Sequence, residues 1–119
     1  MADSEKTGGF RAEVSLGDSG STALVRAYGE IDMATAEQFR GAVAEAFELD
    51  ADTVLVELGG VPLLTSSGLS VLAESHEQAL AARRNLVVRT AGAPRIVHQA
   101  ITAVGLDQVL TIRAEDDAE

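Results

Sequence analysis

A stretch in the middle of the chain decides the fold: Val54-Leu55-Val56-Glu57-Leu58-Gly59-Gly60-Val61-Pro62-Leu63-Leu64-Thr65-Ser66-Ser67-Gly68-Leu69-Ser70-Val71-Leu72. Its first five residues are almost all apolar, which is typical of a strand buried inside a sheet. A short turn rich in glycine follows, and from Leu69 onward apolar residues recur at helical spacing. The stretch therefore predicts a strand, a turn and a helix, with the hydroxyl residues Thr65, Ser66 and Ser67 where the helix begins.

The start of this helix is a favourable place for negative charge. The first backbone N–H groups of a helix have no partner within it, and the helix dipole adds partial positive charge there. A phosphate carried by a serine at this position would find hydrogen-bond donors already directed at it. A plain helix cap, with Gly68 allowing close packing, is the alternative interpretation. Local chemistry alone leaves both interpretations open.

The flanking sequence predicts further strands and helices. Period-two alternation over residues 10–16 and an apolar run over 23–28 predict a β-hairpin with its turn at 17–20. The spacing of Thr35 and Gln38 predicts a capping box at the start of the next helix, with Asp32 as a competing cap. After the central helix, the pattern predicts a strand at 86–88, a third helix beginning near Pro94, and a short element at 109–112.

The predicted order is β-β-α-β-α-β-α plus a short terminal element, which indicates the α/β class. Strands that alternate with helices imply right-handed crossovers and a partly parallel sheet. The opening hairpin makes this a mixed sheet of four to five strands with helices packed on it. A length of 119 residues fits one domain. We expect a flexible N-terminal tail at 1–9, the domain at 10–112 and an acidic C-terminal tail at 113–119.

Charge and composition exclude several classes of function. The net charge is −10, of which residues 1–60 contribute −8 and residues 61–119 contribute −2. This balance argues against nucleic acid binding and is compatible with a basic protein partner. The absence of cysteine excludes disulfides and thiolate metal sites. Without a signal region or a long apolar run, we expect a cytoplasmic protein that does not insert into a membrane.

The motifs of common enzyme classes are missing from the sequence. There is no Gly-x-Ser-x-Gly, no phosphate-binding Gly-x-x-x-x-Gly-Lys and no Gly-x-Gly-x-x-Gly. The two histidines, His76 and His98, fall at helical positions among apolar neighbours. Asp32 and Glu57 follow or end strands, but two isolated carboxylates are a weak basis for a metal site. We therefore predict that the chain is not an enzyme and has no catalytic residues, metal or cofactor.

Three separated motifs resemble those of a known family. The segment Gly29-Glu30-Ile31-Asp32 resembles the Gly-Glu-(Leu/Ile)-Asp segment of STAS domains, and Ser66-Ser67-Gly68-Leu69 resembles the Asp-Ser-Ser-Gly signature of that family. Residues 94–97 and 104–107 are similar to its third helix and its terminal Gly-Leu-Asp. The resemblance covers about residues 10–112, and within the family it is strongest to the bacterial anti-sigma factor antagonists.

This resemblance implies a function in partner switching. Such an antagonist binds an anti-sigma factor that is also a GHKL-type serine-protein kinase, and thereby releases the sigma factor. Phosphorylation by the kinase switches the antagonist off, and a PP2C-type phosphatase restores it. By position, the implied acceptor is Ser66. The implied partner-binding residues are Asp32, Thr35, Thr65, Ser66, Ser67, Gly68 and Leu69.

Thr65 departs from the family pattern, because many members have aspartate at this position. The change removes a negative charge beside Ser66 and introduces a second possible phosphorylation site at Thr65. Thr65 is nevertheless able to cap the helix in place of aspartate.

Three alternative functions remain open at this point. They are a STAS regulatory subunit of a lipid or anion transporter, a STAS scaffold without phosphoregulation, and a small-ligand sensor, for which the sequence contains no phosphate-binding loop.

Overall fold

The computed structural model describes residues 9–17 and 19–114. The predicted tails lie largely outside this part of the chain, and so does Asp18 of the predicted hairpin turn. The secondary structure elements are β1 Arg11–Leu16, β2 Thr22–Tyr28, α1 Ala36–Glu48, β3 Thr53–Gly60, α2 Ser66–Ala82, β4 Asn85–Arg89, α3 Arg95–Ala103, a 3₁₀ turn at Leu106–Gln108, and β5 Thr111–Arg113. This order agrees with the alternation that the sequence predicts.

The five strands form one mixed sheet in the order β1-β2-β3-β4-β5. The β1 and β2 strands are antiparallel, and every later neighbouring pair is parallel. The predicted α/β fold is thus confirmed, with β3 in the centre as its apolar run indicates. The terminal element is the strand β5, which begins later than the predicted residue 109. The strand begins later because the N–H groups of Val109 and Leu110 donate to the Leu106 carbonyl instead of to β4.

The helices cover one face of the sheet. Each parallel connection advances by one strand in the same direction, and the right-handed path then places all three helices on the same side. On β2, β3 and β4, alternate strand residues face these helices and are buried, whereas those of the edge strands β1 and β5 are half-buried or exposed. The opposite face carries residues that are half-buried or exposed along every strand. The core therefore lies between the helices and one face of the sheet, and the second face is open.

The first helix begins differently from the predicted capping box. Thr35 occupies the N-cap position but makes no side-chain capping bond. Its hydroxyl instead donates to the Glu30 carbonyl over 2.8 Å and accepts from the Asp32 N–H over 3.0 Å. The Asp32 carboxylate accepts from the N–H groups of Ala34 and Thr35. The capping-box prediction was wrong because the Thr35 hydroxyl is already bonded to Glu30 and Asp32, and the Asp32 carboxylate accepts the Thr35 N–H that Gln38 would accept in a capping box.

A pair of charged side chains joins α1 to α2 at the surface. Arg40 donates to Glu74 through Nε over 2.9 Å and through Nη2 over 3.1 Å, and it also pairs with Glu37. The bidentate bond lowers the pKa of Glu74, because it favours the charged carboxylate.

None of the helices within residues 9–17 and 19–114 combines the length and apolarity that crossing a membrane requires.

Candidate functional site

Backbone hydrogen bonds bring two of the sequence motifs together beyond the ends of β2 and β3. The Gly29 N–H donates to the Gly60 carbonyl over 3.0 Å, and the Ile31 N–H donates to the Leu63 carbonyl over 2.9 Å. Ile31 and Leu64 form a parallel bridge. The segment that contains Asp32 therefore lies next to the start of α2, at the carboxyl end of the parallel strands. This is the edge of an α/β sheet where binding sites gather.

Thr65 connects the two segments through its side chain. Both its N–H and its Oγ1 hydroxyl donate to the Ile31 carbonyl, each over 3.0 Å. The side chain makes no capping bond to α2, so the expectation that Thr65 replaces the capping aspartate was wrong. The hydroxyl of this half-buried residue is directed at the neighbouring segment rather than at the helix or at solvent.

Ser66 is the exposed hydroxyl of the motif and the first residue of α2. The first helical bond runs from the Leu69 N–H to the Thr65 carbonyl, so the N–H groups of Ser66, Ser67 and Gly68 point out of the helix. The first turn carries no acidic side chain and the helix has no side-chain cap. The partial positive charge at this helix start is therefore not offset by its own residues.

Gly68 allows α2 to approach the Ile31 segment closely. A Cβ at this position would lie 2.5 Å from Leu64 Cδ1 and 2.6 Å from Ile31 Cγ2, which is far inside normal contact. Leu69 beside it is also buried, and Ile31 is fully buried. These contacts hold the start of α2 at a fixed position relative to Asp32.

The predicted partner-binding residues thus differ in accessibility. Ser66 is exposed, whereas Asp32, Thr65 and Ser67 are half-buried. The side chains of Thr35 and Leu69 are buried, and Gly68 is covered by its neighbours. Ser66 is therefore accessible at the surface, and the buried residues pack beneath it.

A shallow cleft of about 300 Å³ adjoins Ser66, and sequence reasoning missed most of its lining. It is formed by Ser66, Leu69, Ser70, Ala73, Val104 and Leu106. Val104 is 58% exposed, although it follows the buried Val97 and Ile101 at helical spacing. Val104 is the C-cap residue of α3, after the last helical residue Ala103, and Gly105 follows it with a positive φ of 79°. Met33, beside Asp32, is 84% exposed and adds a second apolar contact surface.

The accessible chemistry of this site is suited to binding. Its accessible groups are a hydroxyl, unfilled backbone donors and apolar side chains. Within residues 9–17 and 19–114, no group of three His, Asp or Glu side chains is arranged to hold a metal ion.

Comparison with known proteins places the fold and the motifs in one family. The family model described as "Mlab, STAS domain" matches residues 14–112. The chain belongs to the STAS-domain family. This STAS domain is similar to an anti-sigma factor antagonist from Mycobacterium paratuberculosis, with 26% identity and a TM-score of 0.79 over 91% of this chain and 88% of that chain.

Two further structures share the fold at lower identity. The domain is similar to SpoIIAA of Bacillus in its unphosphorylated form, with 20% identity and a TM-score of 0.68 over 92% of this chain and 91% of that chain. For the phosphorylated form, the identity is 19% and the TM-score 0.63 over 92% and 95% of the two chains. No curated protein matches the sequence significantly.

Proposed function

We propose that this STAS domain is an anti-sigma factor antagonist that is switched by phosphorylation of Ser66. In its unphosphorylated form it binds an anti-sigma factor with GHKL-type serine kinase activity, and the sigma factor is released. Phosphorylation of Ser66 by that kinase ends the binding, and a PP2C-type phosphatase restores it. The observation that carries the proposal is the exposed Ser66 hydroxyl at the uncapped start of α2.

The hydrogen bonds of the motif favour Ser66 over Thr65 as the phosphorylation site. Thr65 Oγ1 donates to the Ile31 carbonyl, and this bond must break before the oxygen is able to attack a phosphoryl group. Ser66 is exposed and opens α2, so a phosphate on its Oγ lies near backbone donors that have no helical partner. SpoIIAA, which shares this fold, has been solved in both an unphosphorylated and a phosphorylated form, and this supports a phosphorylation switch here.

A local electrostatic effect is large enough for such a switch. A phosphate adds about −1.5 to −2 charges at neutral pH. One unit of that charge at about 6 Å from a partner carboxylate, with an effective dielectric constant of about 20, costs about 3 kcal/mol. This energy corresponds to roughly a hundredfold loss of affinity before salt screening. The mechanism requires no rearrangement of the domain, which agrees with the tight packing of Gly68 against Ile31 and Leu64.

The apolar cleft next to Ser66 gives the partner a place to bind. A partner side chain that enters between Ser66 and Val104 would contact Leu69 and Leu106. A phosphate on Ser66 would then stand at the edge of the same cleft and add bulk as well as charge. We therefore expect Val104→Asp to weaken the binding of the unphosphorylated domain to its partner. Met33 lies outside the cleft, so Met33→Ala should weaken this binding less.

The decisive experiment combines the domain with its kinase partner and ATP, followed by intact mass measurement. The partner used is the GHKL-type kinase that is encoded beside the gene for the domain. Where no such gene is present, the kinase is isolated by affinity capture with the domain. We expect one added phosphate on the wild type and on Thr65→Val, and none on Ser66→Ala. Modification of Ser66→Ala to the wild-type extent would refute the Ser66 assignment.

Binding measurements then test the switch itself. We expect the kinase to bind wild type and Ser66→Ala with similar affinity and Ser66→Asp much more weakly. Equal affinity for all three proteins would exclude a phosphorylation switch. Capture of transporter subunits instead of a kinase would support the transporter alternative and contradict the proposal.

A further inference from the structure

The outer edge of β1 has main-chain groups that are directed away from the sheet. The Gly17 N–H donates to the Thr22 carbonyl over 2.7 Å, and this pair continues the register of β1 with β2. In an antiparallel pair, residues that bond across to the neighbouring strand alternate with residues whose N–H and C=O groups point away from it. Counting back from Gly17, the odd-numbered residues of β1 bond to β2, so Ala12 and Val14 direct their main-chain groups outward.

Within the part of the chain that the structure describes, these outward groups have no partner. The strand β1 is the first of the sheet, and its other side pairs with none of the described strands. No described hydrogen bond outside the β1–β2 pairing involves Ala12 or Val14. The Phe10 carbonyl at the same edge accepts a long bond of 3.4 Å from Gln38 Nε2 and keeps a second lone pair. An edge of this kind is a template for another strand.

The strand β1 lacks several features that commonly protect a sheet edge. Its six residues contain no proline, and its register with β2 runs without a bulge. The strand β5, at the opposite edge, has only three residues. Charged side chains also protect edges, and β1 carries two, Arg11 and Glu13. Because their charges are opposite, they repel a second copy of β1 only in registers that place like charges together.

These charges favour one register for a second copy of β1. In an antiparallel pair of identical strands, a two-fold axis perpendicular to the sheet passes between one residue and its copy. An axis at Glu13 or at Arg11 places two like charges directly opposite each other, which is destabilising. An axis at Val14 places both charges opposite uncharged residues. An axis at Ala12 places Arg11 opposite the partner's Glu13 in two symmetric pairs, and both side chains are more than half exposed.

The same register fits the outward main-chain groups. With the axis at Ala12, each Ala12 exchanges both of its main-chain bonds with its copy, and Val14 exchanges both with the partner's Phe10. These are the residues whose groups point away from β2. The half-buried Val14 then lies beside the partner's Phe10 on the helix face and loses exposed apolar surface. Charge and hydrogen bonding therefore agree on one arrangement.

We propose that the outer edge of β1 binds β1 of a second copy of this chain, antiparallel and with Ala12 opposite the partner's Ala12. Residues that face each other in this register lie on the same face of their own sheets. The two five-stranded sheets therefore form one continuous sheet with the helices of both copies on one side. The proposal uses only β1 and does not depend on the function proposed for Ser66.

Sedimentation equilibrium of the full chain tests the proposal. The measurements use about 0.15 M salt, which screens the repulsion between two chains of net charge −10. We expect a concentration-dependent dimer for the wild type. Arg11→Glu and Glu13→Arg each place like charges opposite each other, so each should raise the dimer dissociation constant by roughly tenfold. A mixture of these two variants restores opposite charges and should form a heterodimer with about the wild-type constant.

Matched controls change the net charge by the same amounts at exposed positions on helices. They are Arg95→Glu on α3 and Glu77→Arg on α2, and neither should alter the dimer dissociation constant beyond the general effect of net charge. A wild type that stays monomeric at every concentration would overturn the proposal. A dimer that forms equally well in both β1 variants uses another surface, and that result also overturns it.

A single cysteine tests the register, because the chain has no cysteine of its own. In Ala12→Cys the two thiols occupy directly opposed positions whose Cα atoms are about 5.5 Å apart, which is within the range of a disulfide. Oxidised glutathione takes up the two electrons and becomes two reduced glutathione molecules. We expect a covalent dimer of Ala12→Cys, and much less of it for the exposed Gln99→Cys on α3. Equal cross-linking of the two variants would contradict the register.

Discussion

Thr65 Oγ1 donates a hydrogen bond of 3.0 Å to the Ile31 carbonyl, and the Thr65 N–H donates to the same oxygen. One residue thus fastens the start of α2 to the segment that carries Asp32. An aspartate at position 65 has no side-chain proton to donate at neutral pH, and in the same orientation its carboxylate would face the carbonyl oxygen. The threonine that departs from the family signature therefore has a structural role of its own in this member.

Replacing Thr65 with valine tests this hydrogen bond. Valine keeps the shape of the side chain and removes the hydroxyl, while the backbone bond to Ile31 stays. We expect the free energy of unfolding to fall by about 1 kcal/mol, the usual net value of one hydrogen bond. Urea denaturation measures it, with Ser70→Ala as a control at an exposed position of the same helix. An unchanged midpoint for Thr65→Val would mean that the hydroxyl bond is not formed in solution.

A pair of glycine substitutions tests the close packing at the start of α2. Alanine at Gly68 gains about 1 kcal/mol of helix propensity but must displace the buried Ile31 and Leu64 side chains, at a typical cost of about 1–3 kcal/mol. We expect a net loss of stability. Alanine at Gly41, an exposed position in α1 with nothing within 4 Å of its Cβ, should raise stability by about 1 kcal/mol. Thermal unfolding measures both variants. If alanine stabilises the domain at Gly68 as well as at Gly41, the close packing described for Gly68 is contradicted.

The comparison of sequence and structure explains which features were predictable. The strand β3 was predictable because a nearly continuous apolar run that is bounded by turns is typical of a strand in the middle of a sheet. The adjacency of the Asp32 segment and Ser66 followed from parallel strands ending at one edge. The role of Thr65 was not predictable, because its hydroxyl bonds to Ile31, which lies 34 residues earlier. Long-range hydrogen bonds of this kind leave no periodic signal, and neither does the exposure of Val104.

The bond between Arg40 and Glu74 predicts a pH-dependent contribution to stability. The bond lowers the pKa of Glu74 below its ordinary value of 4.5, so the folded state favours the ionised carboxylate. The contribution is fully present above pH 4.5 and is lost as the pH falls through the lowered pKa. We expect Glu74→Gln to unfold more easily than the wild type at neutral pH and the difference to shrink in acid. The exposed Glu77→Gln on the same helix serves as the control, and a difference that stays constant with pH would contradict the assignment.

The last prediction separates stability from binding at Ser66. The first turn of α2 contains no acidic residue, so Ser66→Asp places a negative charge where the helix dipole favours it. We expect thermal unfolding of this variant to occur at or above the wild-type temperature, with a gain of about 0.3–1 kcal/mol at low salt. The same variant should lose affinity for the kinase partner under the function proposed here. A protein that binds less because it has partly unfolded would instead show a lower unfolding temperature, and that result would remove the support that Ser66→Asp gives to a phosphorylation switch.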